Sequence, residues 1–268
     1  MTAKLENYIA ELSASSVGPD SRLRRLPGGP VLGCYQRCEL TSVFQPVVNL
    51  QTHSVFAMEG LISSRHGEER GLSPWGVFAQ AASDTSLIEL DRLCRTVHVL
   101  NHFSGPERTR PLIVNVHDRL LSAVADDHGR AFRRVLDSLG IPPRSLIIET
   151  PERVADSVDL LCHVMANYRL NGFAVSISVT SAKQASEILA HMRPDYLKLD
   201  SRRVESPETL SALVRETRSE GVWPIFQRVE TPAQLEAIQQ AGGRYAQGHL
   251  LGVPAYPKVG LELEAPAA

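Results

Sequence analysis

From Thr41 onward, short apolar runs alternate with longer amphipathic stretches, and this alternation constrains the fold more than any other feature. The runs are 42–48 (SVFQPVV), 54–61 (SVFAMEGL), 112–116 (LIVNV), 145–149 (SLIIE), 173–178 (FAVSIS), 195–199 (DYLKL), 223–227 (WPIFQ) and 244–248 (RYAQG). Runs this short and apolar read as buried strands. A tight turn at 49–53 joins the first two, which makes them an antiparallel pair. Helical stretches at 74–82, 85–103 (capped by Asp84), 118–139, 154–170, 182–192, 207–220 and 231–241 separate the rest. The last helix carries the clearest boundaries. Thr231 is its N-cap, Pro232 its first residue, and Gly242 with Gly243 its stop, while Leu235, Ile238 and Ala241 share one face. Strand and helix in this order predict an α/β fold, a modified TIM (β/α)8 barrel with an antiparallel first strand pair.

Residues 1–40 precede the alternation and read as an N-terminal helix and linker arm. The helix covers 1–16, with Leu5, Ile9 and Leu12 on one face, and 17–33 (VGPDSRLRRLPGGPVLG) is a linker or packed arm. The barrel then spans 41–257, and 258–268 is a C-terminal tail. A net charge of −2 gives no electrostatic footprint for nucleic acid or an anionic membrane, so neither is expected as a partner. No apolar run approaches the length of a membrane span, and the first residues lack the apolar centre of a secretory signal, which together predict a cytoplasmic protein. Of the four cysteines, Cys34 and Cys38 are spaced like half of a metal clip, but no second Cys or His pair accompanies them, and all four are read as reduced thiols.

The polar residues at the strand ends are Glu59, Asn115, Glu149, Ser178, Lys198 with Asp200, Gln227 and Gln247. In a barrel of parallel strands, that end carries the chemistry. Glu59, Asn115 and Glu149 are oxygen donors suited to a hard cation such as Mg²⁺ or Mn²⁺. Lys198 suits a phosphate or a hydroxide. Taken singly, each is equally well a satisfied rim hydrogen bond. His117, two residues past Asn115, reads as a solvated loop residue. No phosphate-binding G-x-x-x-x-G-K-[ST] loop, H-E-x-x-H helix or G-x-S-x-G elbow is present.

These strand ends resemble the EAL family, bacterial domains that hydrolyse cyclic di-GMP with two divalent metals. The similarity runs from FQPVVNL (44–50) through EGL (59–61), which stands at the namesake Glu-Ala-Leu. It continues through LIELDRL (87–93), NVHDRLL (115–121), ETPE (149–152), DYLKLD (195–200), QRVET (227–231) and QGHLLG-x-P (247–254). By this resemblance Glu59, Asn115 and Glu149 are metal positions, and Lys198, Gln227 and Glu230 are catalytic positions. Gln45, Leu61, Asn115, Glu149, Lys198, Glu230 and Gln247 would contact the nucleotide. The departures fall on the chemistry. Ser178 and Val179 stand where the family has paired aspartates, and TSAKQAS (180–186) replaces its Gly-rich loop. Gln227 replaces the general base, and Ser63 replaces a phosphate-contacting arginine.

Two dications held close together need carboxylates to offset their repulsion. Valine offers no ligand oxygen, and a serine hydroxyl is a weak substitute. Glutamine takes no proton near neutral pH, and loss of a general base alone typically costs about 10²–10⁴-fold. The resemblance therefore implies a pseudoenzyme whose metal positions Glu59, Asn115 and Glu149 are vestigial, with no cofactor expected and Mg or Mn only with residual activity. Three functions follow. The first is a regulatory module that binds an as yet unnamed protein partner. The second is a cyclic di-GMP receptor that does not cleave its ligand. The third is a weak metal-dependent phosphodiesterase.

Overall fold

The computed structural model describes residues 2–14, 22–36, 38–66, 69–70, 73–117, 128–152, 157–204 and 206–257. Eight strands form a closed barrel. They are β3 (Cys38–Asn49), β4 (Ser54–His66), β6 (Leu112–Asn115), β7 (Leu146–Thr150), β8 (Ala174–Val179), β9 (Tyr196–Asp200), β10 (Trp223–Gln227) and β11 (Tyr245–Ala246). Neighbours from β4 through β11 run parallel. β3 alone runs against them, pairing antiparallel with β4 on one side and β11 on the other. The turn between β3 and β4 is as tight as its sequence predicts, with His53 in the left-handed region at φ 51°.

Before the barrel, β1 (Leu23–Arg25) and β2 (Val31–Tyr35) extend the sheet, β2 pairing with the start of β3. On the other side the two-residue β5 (Glu69–Arg70) pairs with the end of β4. The N-terminal helix is α1 (Ala3–Ala14), followed by α2 (Pro74–Ala79) and α3 (Asp84–Ser104). Later helices are α4 (His128–Leu139), α5 (Val158–Leu170), α6 (Ala182–His191), α7 (Pro207–Ser219) and α8 (Pro232–Gln240). The expected starts of α4 and α5 fall on 118–127 and 153–156, outside the described residues, as does the tail 258–268.

One cap is corrected. Ser83, and not Asp84, caps α3, in a reciprocal arrangement with Ser86. Asp84 takes the first helical position instead, where a carboxylate faces the positive end of the helix dipole. Thr231 caps α8 as expected, with Gln234 completing the box and Gly242 leaving the helix at φ 79°.

Period-two alternation sorts each parallel strand into two faces. Outward residues such as Leu112, Val114, Ile148, Ile177, Val179, Leu197 and Leu199 pack in one large core beneath the helices. Inward residues Val47, Ala57, Ile113, Ile147, Ile225 and Tyr245 fill the barrel's centre, with Ala174, Tyr196 and Trp223 against them. At the N-terminal mouth the rings of Phe56 and Tyr245 lie 4.3 Å apart, and Arg244 sits 4.6 Å over Trp223. An apolar plug at that mouth leaves the next inward layer, at the strands' C-terminal ends, to the polar residues.

α3 fixes the odd strand. The Asn101 side chain accepts from Val31 N at 2.7 Å and donates to Val31 O at 2.9 Å, acting as a short piece of strand against β2. One turn earlier, His98 Nδ1 lies 2.8 Å from Ser42 Oγ in β3.

Candidate functional site

Each inward residue one step beyond the apolar layer is polar. Glu59 follows Ala57, Asn115 follows Ile113, Glu149 follows Ile147, and Gln247 follows Tyr245 in the same alternation. Lys198 follows Tyr196, Gln227 follows Ile225, and Ser178 lies in register with Lys198. Lys198 is 1% exposed, Glu59 7% and Glu149 5%, so three charged groups are buried together.

They are joined by hydrogen bonds. Lys198 Nζ donates to Glu59 Oε2 at 2.7 Å and to Glu149 Oε2 at 2.8 Å. Gln247 Nε2 donates to Glu59 Oε2 at 2.6 Å, and Asn115 Nδ2 to Glu59 Oε1 at 2.9 Å. Ser178 Oγ donates to Glu149 Oε1 at 2.7 Å. All four carboxylate oxygens therefore accept from protein donors, and one ammonium faces two carboxylates.

That imbalance separates the two glutamates. Burial pushes the Glu59 carboxyl up, but the Lys198 ammonium and the donors Lys198, Asn115 and Gln247 outweigh it and hold it below its ordinary value. Burial also pushes Glu149 up, and there the neighbouring Glu59 charge adds to it against Lys198 and Ser178, leaving it raised. On Lys198, burial works against the charge, but both carboxylates overcome it and the ammonium is held firmly protonated.

The structure brings together Glu59, Asn115, Glu149, Ser178, Lys198 and Gln247 from the residues named in sequence. It does not bring in Asp200. That carboxylate is tied to Arg202 by two side-chain bonds, at 3.1 and 2.9 Å, with Arg228 at 3.7 Å, and it serves as the local anchor of a short 3-10 turn. Val179 turns outward into the helix-facing core. Gln227 is half-buried at the end of β10, and Glu230 is exposed, its backbone N–H donating to Gln234. Gln45 donates to Gly252 O at 3.0 Å, Leu61 is half-buried, and Ser63 Oγ lies 3.1 Å from the Tyr256 hydroxyl. His117 stacks on Phe78 with centroids 4.8 Å apart. The stretch 180–186 is barely a loop. Ser181 caps α6, which begins at Ala182, and Thr180 bonds Gln184 Oε1 through both N and Oγ1.

Sequence reasoning missed one structural partner of the rim. A Cβ built on Gly60 would come within 2.8 Å of Cγ of the His98 ring, so the glycine after Glu59 makes room for an imidazole. The paired signal was present as a small residue in β4 and a histidine on the buried face of α3.

Barrel and rim define an (β/α) barrel domain of the kind whose working end lies at the C-terminal ends of its parallel strands. The chain belongs to the EAL domain family, whose match spans residues 31–254. It is 22% identical over 252 residues to the probable cyclic di-GMP phosphodiesterase PdeN of Escherichia coli (strain K12), covering 87% of this chain and 46% of that protein, so it spans about half of that relative's length. Among solved structures, the EAL domain of Xanthomonas citri FimX in complex with c-diGMP matches with a TM-score of 0.70 at 20% identity, covering 84% of this chain and 91% of that one. Klebsiella pneumoniae BlrP1 in a calcium/cy-diGMP complex matches at 0.68 and 20% identity, over 86% of this chain and 62% of that one. The same protein solved with FMN and cyclic diGMP and no metal ions matches at 0.66 and 21% identity, over 82% and 54%. At these identities the likeness shows the fold. No helix among the described residues is long and apolar enough to cross a membrane.

Proposed function

We propose that this chain is a non-catalytic EAL domain that works by binding, as a regulatory protein-interaction module in bacterial cyclic di-GMP-related signalling. The observation that carries this reading is the self-contained rim, in which every oxygen of Glu59 and Glu149 is taken by Asn115, Ser178, Lys198 or Gln247. Phosphodiester hydrolysis needs a base and an activated water. By resemblance the base position is Gln227, whose amide accepts no proton near neutral pH. Of the two positions that carry aspartates in the family, Ser178 is committed to Glu149 and Val179 faces away from the rim. A binding module needs neither group.

A second reading, a cyclic di-GMP receptor, is supported by BlrP1, a relative solved with cyclic diGMP and no metal ions. On that reading Gln45, Leu61, Asn115, Glu149, Lys198, Glu230 and Gln247 form the contact set. Five of them, Gln45, Asn115, Glu149, Lys198 and Gln247, already have side chains bonded within the fold, and the ligand would have to replace those bonds.

The test is incubation of the purified protein with cyclic di-GMP and Mn²⁺, with products separated by chromatography. No linear dinucleotide is expected. Metal-dependent conversion abolished by Glu59→Ala overturns the non-catalytic reading. Calorimetric titration with cyclic di-GMP in the absence of metal then divides the remaining two. Tight binding assigns the receptor, and no binding assigns the protein-interaction module.

A further inference from the structure

BlrP1, a structural neighbour, is solved in a calcium complex, which raises the question of whether the donor set of this rim fits such an ion. Ca²⁺ takes six or more oxygens and Mg²⁺ an octahedron, with carboxylates supplying the compensating charge. Here the rim has two buried carboxylates, and an ammonium already lies between them, 2.7 Å from Glu59 Oε2 and 2.8 Å from Glu149 Oε2. An ion bridging those oxygens would occupy the place of Lys198 Nζ. An ion bound beside it would face a like charge in buried surroundings, where repulsion is weakly screened. Asn115 turns its amide N–H, not its oxygen, toward Glu59. Among the described residues, no group of three His, Cys, Asp or Glu stands ready to hold a metal ion. The residues do not fit a divalent cation.

We propose that this rim does not hold a divalent metal, because with Ser178 and Val179 at the aspartate positions only Glu59 and Glu149 remain as its carboxylates, and the Lys198 ammonium is already their shared counter-charge. The inference deepens the non-catalytic reading of the same rim and rests on it. It also assigns the lysine a positioning role, since its ammonium joins β4, β7 and β9 across the barrel's open end.

The probe is Mn²⁺, read by thermal shift and by electron paramagnetic resonance of the free ion, with no nucleotide present. Three proteins are compared. The wild type is expected to take up no Mn²⁺ at millimolar concentration. Lys198→Met, which leaves two carboxylates without their cation, is expected to bind Mn²⁺ at least about tenfold more tightly and to gain melting temperature with it. Ser178→Asp keeps the lysine but sets a third carboxylate beside Glu149, and it gains Mn²⁺ uptake as well. This second variant keeps the proposal testable should Lys198→Met fail to fold. Mn²⁺ uptake by the wild type overturns the inference, as does absence of uptake by both variants. Neither result is read through turnover. Wild-type uptake without hydrolysis would thus remove this inference and leave the non-catalytic reading intact.

Discussion

Gly60 and His98 fit each other as one unit. The ring of His98 occupies the space that a methyl group on residue 60 would need, and Ser42 Oγ holds its Nδ1. Gly60→Ala is expected to overpack this contact and cost about 1–3 kcal/mol. The cost should largely vanish in a His98→Ala background, and a double-mutant cycle by urea denaturation reads the coupling. The same histidine gives a pH dependence. Burial pushes His98 down to about 3, and burial, only partly opposed by its bond to the Arg110 carbonyl, pushes His102 down to about 4. Both folded values lie below the unfolded one, so this stability is complete above about pH 6.5 and is lost as pH falls toward the folded values. At pH 5 each histidine is expected to cost about 2 kcal/mol relative to neutrality, visible as a lower urea midpoint, with His98→Asn flattening the slope. Neither effect was legible in the sequence, because a lone histidine on an apolar helix face does not reveal which strand residue lies opposite.

At the scale of elements, Lys198 is the point where three strands meet. Lys198→Met leaves Glu59 and Glu149 buried without a counter-charge, and a loss of about 3–5 kcal/mol is expected at neutral pH. In that variant burial is no longer opposed by the ammonium, so both carboxyls are expected to be pushed up, with stability falling as pH rises through the folded values and returning on acidification. A melting curve that improves from pH 7 to pH 5 relative to wild type checks this. Gly248 is held to glycine by backbone approach, since a Cβ there would meet Val229 O at 2.0 Å and Val229 N at 2.3 Å. Gly248→Ala is expected to separate those backbones and pull Gln247 from Glu59, seen as faster amide exchange at Gln247 and Val229.

The barrel strands were legible because short apolar runs ending in a polar residue have no other economical home. β1 and β2 were not. Leu23–Arg25 is Arg-rich, and the Pro and Gly residues before Val31 read as turn chemistry, yet pairing to β3 and the Asn101 clamp outweigh local propensity. The residues of the rim were legible as a set, because strand alternation places them at one end. Their pairing was not, since nothing in the spacing says that Lys198 bridges two glutamates while Asp200, two residues on, turns to Arg202.

For the whole molecule, the proposed non-catalytic reading rests on packing as well as on single letters. On that reading, Gln227→Glu alone is expected to give no hydrolysis of cyclic di-GMP, because Ser178 and Val179 still leave the rim without the carboxylates that would hold a metal pair. Val179→Asp is expected to destabilise the fold by about 3 kcal/mol or more, measured by urea midpoint, since that side chain enters the helix-facing core and would bury an unpaired charge.

The strand that runs against the rest also dictates when the barrel can exist. β3 pairs with β11 through Val48 and Asn49 opposite Ala246 and Tyr245, and Ala255 bridges Phe44 through two backbone bonds at 2.8 and 3.0 Å. These contacts join segments about two hundred positions apart, and the loop entropy of closing so long a span must be met before any of them forms. Until residues 245–255 dock, β3 carries an open edge, and the seven-strand sheet is a curled ribbon with its polar end unassembled. Closure is therefore expected to be a late event of folding, which late amide protection at Ala246 in pulsed hydrogen exchange would show. Gln247 reaches Glu59 in that same step, so the rim is completed only when the cylinder is sealed.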